Sequence, residues 1–259
     1  MLFLTKPFKF VTLRTNMPSS ISQYIEIKNE QSQDVFYIRH PKFNAEISAY
    51  GAQLLSFTPN NQTDLLWMST TAVKDGSKAI RGGVPLCWPW FGQAPKNHSG
   101  QPQHGYMRNI VWSLTKVDES EQQMKLTFTN NDTTLFEKLG LAASIELTLS
   151  DSAEIKIITR NISDQPQVLS QAIHTYFNVE DINHTQISEL AGSQYLDKLD
   201  DGKLKRQHGA LTIQQALDTV YLYNQPQLTI NTGYRDIKVE GRGHDSVIVW
   251  NPWQQGAAA

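Results

Sequence analysis

Residues 144–158 read SIELTLSDSAEIKII, and this stretch decides the fold class. Apolar and polar side chains alternate before and after the turn residues Ser150, Asp151 and Ser152. An alternation with period two, rich in β-branched residues, is typical of half-buried β-strands. The stretch therefore predicts an antiparallel hairpin with one face towards a core.

The same alternation recurs at 24–28, 36–39 and 125–129, with turn-forming residues between the runs. Helical signals are few: residues 132–139 form a short capped pattern that ends at Gly140, and 212–217 could form another short turn of helix. No alternating βαβ units are visible, so a Rossmann-type fold is rejected. Short strands at this spacing predict a large antiparallel sandwich or barrel.

Composition excludes several classes of protein. The chain has 259 residues and a formal net charge of −2, which argues against a nucleic-acid binder with a globally basic surface. Cys87 is the single cysteine, so neither a disulfide framework nor a cysteine zinc site can form, and a reducing compartment, the cytoplasm, is favoured. No run of 18 apolar residues predicts a membrane helix. We expect a tail or edge strand over residues 1–20 and one domain over 21–259.

Two stretches interrupt the strand pattern and carry chemically useful side chains. Residues 81–92, RGGVPLCWPWFG, combine glycines and prolines with aromatic rings that could either fill the core or pack on a sugar, and Arg81 suits an anionic ligand. Residues 103–108, QHGYMR, place His104, Tyr106 and Arg108 on one face if the segment is a strand.

Three further stretches lie closer to the carboxyl terminus. Residues 172–177, AIHTYF, place His174 on a strand or at its end. Residues 218–221, DTVY, offer Asp218, for which a helix cap is the alternative interpretation. Residues 249–253, VWNPW, end a strand of the buried type at a polar tip that proline interrupts.

Together these motifs resemble the D-hexose-6-phosphate mutarotase (glucose-6-phosphate 1-epimerase) branch of the aldose 1-epimerase family. They occur in the family's order and extend from Gly51, Ala52 and Gln53 to Trp253. The resemblance implies a galactose-mutarotase-like antiparallel β-sandwich, the supersandwich, with few short helices. It also implies that the protein interconverts the α and β anomers of a hexose 6-phosphate without a metal or another cofactor. We expect a cytoplasmic monomer whose partner is a small hexose phosphate, not a nucleic acid or a membrane.

The resemblance also assigns roles to individual residues. His174 matches the family's catalytic acid, and His104 matches a histidine that lies against the sugar. The positions that match ligand-binding residues are Arg81, Gln103, Arg108 and Asp218. Two residues depart from the family pattern: Met107 replaces a small residue, and Thr219 stands where arginine is usual.

The family's catalytic base is a glutamate some tens of residues beyond the WNPW motif. Only residues 254–259, QQGAAA, follow that motif here, so we expect a longer natural chain whose additional strand carries the glutamate. The alternative function is a non-catalytic sugar-phosphate binding protein on the same fold. A glycosidase-like hydrolase would need two carboxylates flanking one bond, and no acidic pair lies within the motifs.

Overall fold

The computed structural model describes residues 21–130 and 132–257. The predicted tail or edge strand at 1–20 lies outside the described residues. The described chain divides into two compact units, one ending at Asn178 and the other beginning at Val179. The single domain expected over 21–259 stays a prediction.

Short antiparallel strands make up most of the first unit. Its strands are β1 (Ile25–Glu30), β2 (Gln33–His40), β3 (Phe43–Ser48), β4 (Gln53–Pro59), β5 (Leu86–Cys87), β6 (Ser113–Glu119), β7 (Met124–Thr129), β8 (Leu141–Leu149), β9 (Ala153–Asn161) and β10 (Ala172–Ile173). They form two four-stranded sheets, β1-β2-β3-β4 and β6-β7-β8-β9, and the small pair β5-β10. One α-helix, α1 (Thr133–Leu139), and two 3₁₀ turns, Lys96–His98 and Met107–Asn109, complete the unit.

The two large sheets of this unit share one apolar core. Alternate side chains of β2, β3 and β4 are buried together with alternate side chains of β7 and β8. Phe36 and Phe128 meet across the core with ring centroids 5.6 Å apart. Each fully buried large side chain of this kind contributes about 1.5–3 kcal/mol through removal of apolar surface from water. This pairing of sheets is a sandwich.

The hairpin and the helix that the sequence predicts are both confirmed. In β8 and β9, Ser144 pairs with Ile158 and Leu149 with Ala153, so residues 150–152 form the turn. The Asp132 side chain accepts a hydrogen bond from the Thr134 amide at 3.0 Å, and Gly140 ends α1 with φ of 67°. Both ends of the helix thus carry the caps that their residue types favour.

The second unit holds two further four-stranded sheets. Its strands are β11 (Gln186–Ile187), β12 (Gln194–Asp197), β13 (Lys203–Arg206), β14 (Leu211–Thr212), β15 (Leu217–Tyr221), β16 (Gln227–Asn231), β17 (Asp236–Glu240) and β18 (Val247–Asn251). The sheet orders are β14-β11-β16-β17 and β13-β12-β15-β18. The helical segments are the 3₁₀ turns Ile182–His184 and Lys198–Asp200 and the helix α2 (Trp253–Ala257).

The prediction of a short helical turn at 212–217 is wrong. Thr212 ends β14, where it pairs with Gln186, and β15 begins at Leu217. Ile213 is buried between the exposed side chains of Thr212 and Gln214. This alternation has the period of an extended chain, so the partner strand from another part of the sequence decides the local structure.

Among residues 21–130 and 132–257, no helix is long and apolar enough to span a bilayer. The predicted all-β class with few short helices is confirmed.

Candidate active site

The Arg81 segment follows a course that glycine makes possible. Gly82 and Gly83 adopt φ of 116° and 58°, and a Cβ added to Gly83 would lie 2.3 Å from the Leu54 carbonyl oxygen. The backbone therefore passes against β4 more closely than any other residue type permits. Arg81 itself is partly exposed at the start of this turn.

The tryptophans of the same motif belong to the core. Trp88 is fully buried and its indole N–H donates to Thr159 Oγ1 at 3.0 Å. Trp90 is 5% exposed and its indole N–H donates to the Pro102 carbonyl at 2.9 Å. The sequence left two interpretations open for these rings. The interpretation that they fill the core is correct, and the interpretation that they pack on a sugar is wrong.

Residues 103–108 do not form a strand. Gln103 and His104 form a turn, with His104 at φ of 66°, and Met107–Asn109 is a 3₁₀ turn. Between them Gly105 pairs with Trp88, and a Cβ there would lie 2.0 Å from the Trp88 carbonyl oxygen. Alternation in the sequence cannot reveal this close approach, and the face that His104, Tyr106 and Arg108 would share on a strand does not form.

His104 is fixed by the loop that it closes. Its backbone N–H donates to the Gly92 carbonyl at 2.7 Å, and its Nδ1 accepts from the Gly92 amide at 3.0 Å. Its ring lies 4.8 Å from that of Phe91. Because Nδ1 accepts a hydrogen bond, the proton of the neutral imidazole is assigned to Nε2.

Arg108 has one donor that is buried without an acceptor. Its Nη2 donates to the Gln103 carbonyl at 3.1 Å, whereas its Nε is buried and has no hydrogen-bond partner among the described residues. Gln103 thus contacts Arg108 through its main chain, and its side chain is exposed. A buried donor without an acceptor is costly, so the guanidinium favours an anion or another acceptor beside it.

His174 directly follows β10, as the sequence predicts. Its amide donates to the Pro85 carbonyl at 3.0 Å, and its imidazole stacks on Tyr176 with centroids 4.8 Å apart. Tyr176 in turn stacks on Trp67 at 5.8 Å, and Trp67 is 40% exposed. The three rings form a continuous stack, which we call the aromatic stack.

The positive charges of Arg81 and Arg108 act on the tyrosine of this stack. Burial raises the pKa of the Tyr176 hydroxyl, and the positive charges of Arg81 and Arg108 act in the opposite direction. Burial also raises the pKa of the Cys87 thiol to about 11, again against the charge of Arg108. His174 stacks on Tyr176, and the Tyr176 amide donates to the Gly83 carbonyl at 2.9 Å, two residues beyond Arg81.

Asp218 lies in the second unit, in the middle of a sheet. It belongs to β15, where it pairs with Trp250 of β18, so it does not cap a helix. One carboxylate oxygen lies 3.7 Å from the Lys198 ammonium, and about a third of the side chain is exposed. Its neighbour Thr219 is buried and donates from Oγ1 to the Val249 carbonyl at 3.1 Å.

The sequence assigns no role to three residues that shape this region, namely Gln53, Trp67 and Tyr176. Tyr176 lies inside a quoted motif and its ring could have been considered. Trp67 is far from this motif in the sequence and lies beside it in the fold, where its amide donates to the Tyr176 carbonyl at 2.9 Å. Within the part of the chain that the structure describes, no three His, Cys, Asp or Glu side chains could hold a metal ion together.

Known proteins resemble this chain over most of its length. It is 32% identical to the "Putative glucose-6-phosphate 1-epimerase" of Escherichia coli (strain K12) over 246 residues, which cover 90% of this chain and 79% of that protein. It is also 32% identical to a protein of the same name in Salmonella typhimurium, covering 85% of this chain and 74% of the relative.

Comparison with solved structures leads to the same kind of protein as comparison with these relatives. The crystal structure of a "putative mutarotase" from Salmonella typhimurium superposes with a TM-score of 0.82 at 29% identity, covering 90% of this chain and 79% of that one. This likeness confirms the predicted mutarotase-like fold. The family model described as "Aldose 1-epimerase" matches residues 34–259, and the chain therefore belongs to the aldose 1-epimerase family.

Proposed function

We propose that this protein interconverts the α and β anomers of a hexose 6-phosphate by acid–base opening of the sugar ring. The observation that carries the proposal is the pairing of the His174 segment with the Arg81 segment: the amides of His174 and Tyr176 donate to the carbonyls of Pro85 and Gly83, just beyond Arg81. A cation that suits a phosphate and an imidazole that can transfer protons near neutral pH are thus carried by two paired segments.

Two proton transfers accomplish the reaction. His174 donates a proton to the ring oxygen as the bond between that oxygen and C1 breaks, while a base removes the proton of the anomeric hydroxyl. Rotation about the C1–C2 bond then presents the other face of the aldehyde, and closure reverses both transfers. A well-placed general acid contributes roughly 10²–10⁴-fold to the rate.

Arg81 and Arg108 bind the phosphate in this proposal. A guanidinium offers a planar fork of donors that suits phosphate oxygens, and charge-assisted bonds of this kind are stronger than neutral ones. The hydrogen bond from the Arg108 Nη2 to the Gln103 carbonyl supports this role, because it limits the orientations of the guanidinium. His104 and Gln103 are assigned to the sugar hydroxyls, and the ligand-binding role of Asp218 stays a prediction.

The names of the relatives support the choice of substrate. The Escherichia coli and Salmonella typhimurium proteins carry glucose 6-phosphate in their names. We extend that substrate to this chain, and the monomeric state and the cytoplasmic location stay predictions. Gel filtration with light scattering tests the monomer, and cell fractionation tests the location.

The decisive experiment follows the exchange between the anomers of glucose 6-phosphate by NMR. Exchange faster than the spontaneous reaction supports the proposal, and binding without faster exchange would favour the non-catalytic sugar-phosphate binding protein.

Arg108→Ala tests the phosphate assignment. We expect this variant to bind glucose 6-phosphate more weakly by about 1.5–3 kcal/mol, with little change for glucose, because a charge-assisted contact to phosphate is lost. Isothermal titration with both sugars measures the difference. Arg160→Ala, which removes an exposed arginine of β9, is the matched control. Equal weakening of both sugars would contradict the assignment.

A further inference from the structure

Gln53 has a polar side chain that is fully buried in the first unit. It opens β4 and has no solvent exposure. A buried amide is costly unless it forms hydrogen bonds. The Gln53 Nε2 donates to the Ile80 carbonyl at 3.3 Å and to the Gly82 carbonyl at 2.7 Å. These two carbonyls lie on either side of Arg81.

The carbonyl of Arg81 itself is also held. It accepts from the Ser69 amide at 3.2 Å, so the three successive carbonyls of residues 80, 81 and 82 all accept hydrogen bonds. One residue further, the Gly83 amide donates to the Trp67 carbonyl at 2.8 Å. The backbone that carries Arg81 is thus fixed on both sides, and Gln53 supplies two of these bonds from a single side chain.

The amide oxygen of Gln53 indicates that the side chain is present for its N–H donors. Gln53 Oε1 is buried and has no hydrogen-bond partner among residues 21–130 and 132–257. An apolar side chain of similar shape would avoid that cost. Both acceptors are carbonyl oxygens, so the amide nitrogen and not the amide oxygen must face them. A side chain with two N–H donors is therefore needed at this position, and glutamine supplies it.

We infer that Gln53 is a positioning residue for Arg81 and thereby sets the preference for a phosphorylated over an unphosphorylated sugar. The inference rests on the proposed function, in which Arg81 binds phosphate. Without the bridge, the turn at 80–82 can shift, and the guanidinium moves away from the phosphate. Loss of a charge-assisted contact weakens binding by roughly tenfold or more.

The test measures the dissociation constants of glucose 6-phosphate and glucose by isothermal titration in four variants. Gln53→Met keeps the length of the side chain and removes both donors. Arg81→Ala removes the guanidinium, and the double variant combines the two changes. Ser48→Ala is the control, because Ser48 is equally buried in the neighbouring strand and accepts only from the Tyr50 amide.

We expect Gln53→Met to weaken the binding of glucose 6-phosphate roughly tenfold with little change for glucose. In the Arg81→Ala background the same change should add almost nothing, because it acts through Arg81. Ser48→Ala should leave the ratio of the two constants unchanged. If Gln53→Met does not fold, Gln53→Asn provides the second variant: it keeps an amide that is one methylene too short to reach both carbonyls, and the same selective loss is expected.

The outcomes separate this inference from the proposed function. If Arg81→Ala weakens only the phosphorylated sugar and neither Gln53 variant does, the positioning role is overturned and the phosphate role of Arg81 stands. Equal weakening of both sugars by a Gln53 variant, or full additivity with Arg81→Ala, would also overturn it. If Arg81→Ala itself shows no phosphate selectivity, the proposed phosphate site fails, and the inference fails with it.

Discussion

At the scale of single residues, His174 combines a fixed backbone with a stacked ring. Its amide is bonded to the Pro85 carbonyl, and its imidazole lies against Tyr176 at one end of the aromatic stack. Stacking and backbone anchoring together limit the orientations of the imidazole. An acid that must reach one particular ring oxygen gains from such restriction.

We expect His174→Asn to lower kcat for glucose 6-phosphate by roughly 10²–10⁴-fold with little change in the dissociation constant. The physical reason is that proton donation to the ring oxygen stabilises the transition state and not the bound sugar. NMR exchange rates and isothermal titration measure the two quantities. Unchanged turnover would transfer the acid role to His104, the other imidazole in the motifs.

At the scale of elements, the loop at 103–109 depends on the contact of Gly105 with Trp88. The Tyr106 amide donates to the Trp88 carbonyl at 2.8 Å, and the Gly105 Cα faces the same oxygen. This contact fixes the loop between His104 and Arg108. The loop therefore relies on one glycine that has both a positive φ and no room for a side chain.

Gly105→Ala should destabilise the protein by about 2–4 kcal/mol, since a Cβ there requires both a strained φ and a shift of the Trp88 backbone. Gly100→Ala is the matched control: Gly100 has φ of 81°, and a Cβ there would have nothing within 4 Å. The control should cost only about 1–2 kcal/mol, the penalty for the left-handed backbone. Denaturant unfolding measures both. Equal losses would show that the contact with Trp88 contributes nothing.

The same loop explains which elements the sequence could predict. The β8–β9 hairpin and α1 are local: their turn and cap residues lie within a few positions of the residues that they organise. The loop at 103–108 has strand-like alternation, but its course is decided by Trp88, about 15 residues earlier in the chain. Residues 212–217 likewise depend on a distant strand. Local pattern cannot report such long-range pairing.

At the scale of the whole molecule, the family membership that the motifs predicted is confirmed, and so is the predicted enzyme class, an isomerase of the aldose 1-epimerase type. The candidate site was predicted less completely. Arg81, Arg108 and His174 were proposed from their motifs, and their roles stay predictions, whereas Gln53 and Trp67 contact these segments through burial and strand pairing. The glutamate expected beyond Ala259 stays a prediction.

Independence from metal ions also stays a prediction, and the chemistry of the whole chain supports it. Anomer exchange moves two protons and transfers no electrons, so general acids and bases are sufficient. Cys87, the single thiol, is buried with its pKa raised to about 11, which keeps it a neutral group and a poor metal ligand at pH 7. The seven histidines of the chain and its carboxylates form no cluster of three in the described ranges.

We therefore expect exhaustive dialysis against EDTA to leave the rate of anomer exchange unchanged within error. Elemental analysis before and after dialysis establishes that metals were removed. A zinc-dependent enzyme treated in the same buffer is the control, because it must lose its activity for the chelation to count as complete. Loss of exchange in this protein, with recovery on adding one particular divalent ion, would mean that the ring opens with the help of a Lewis acid and not by proton transfer from His174 alone.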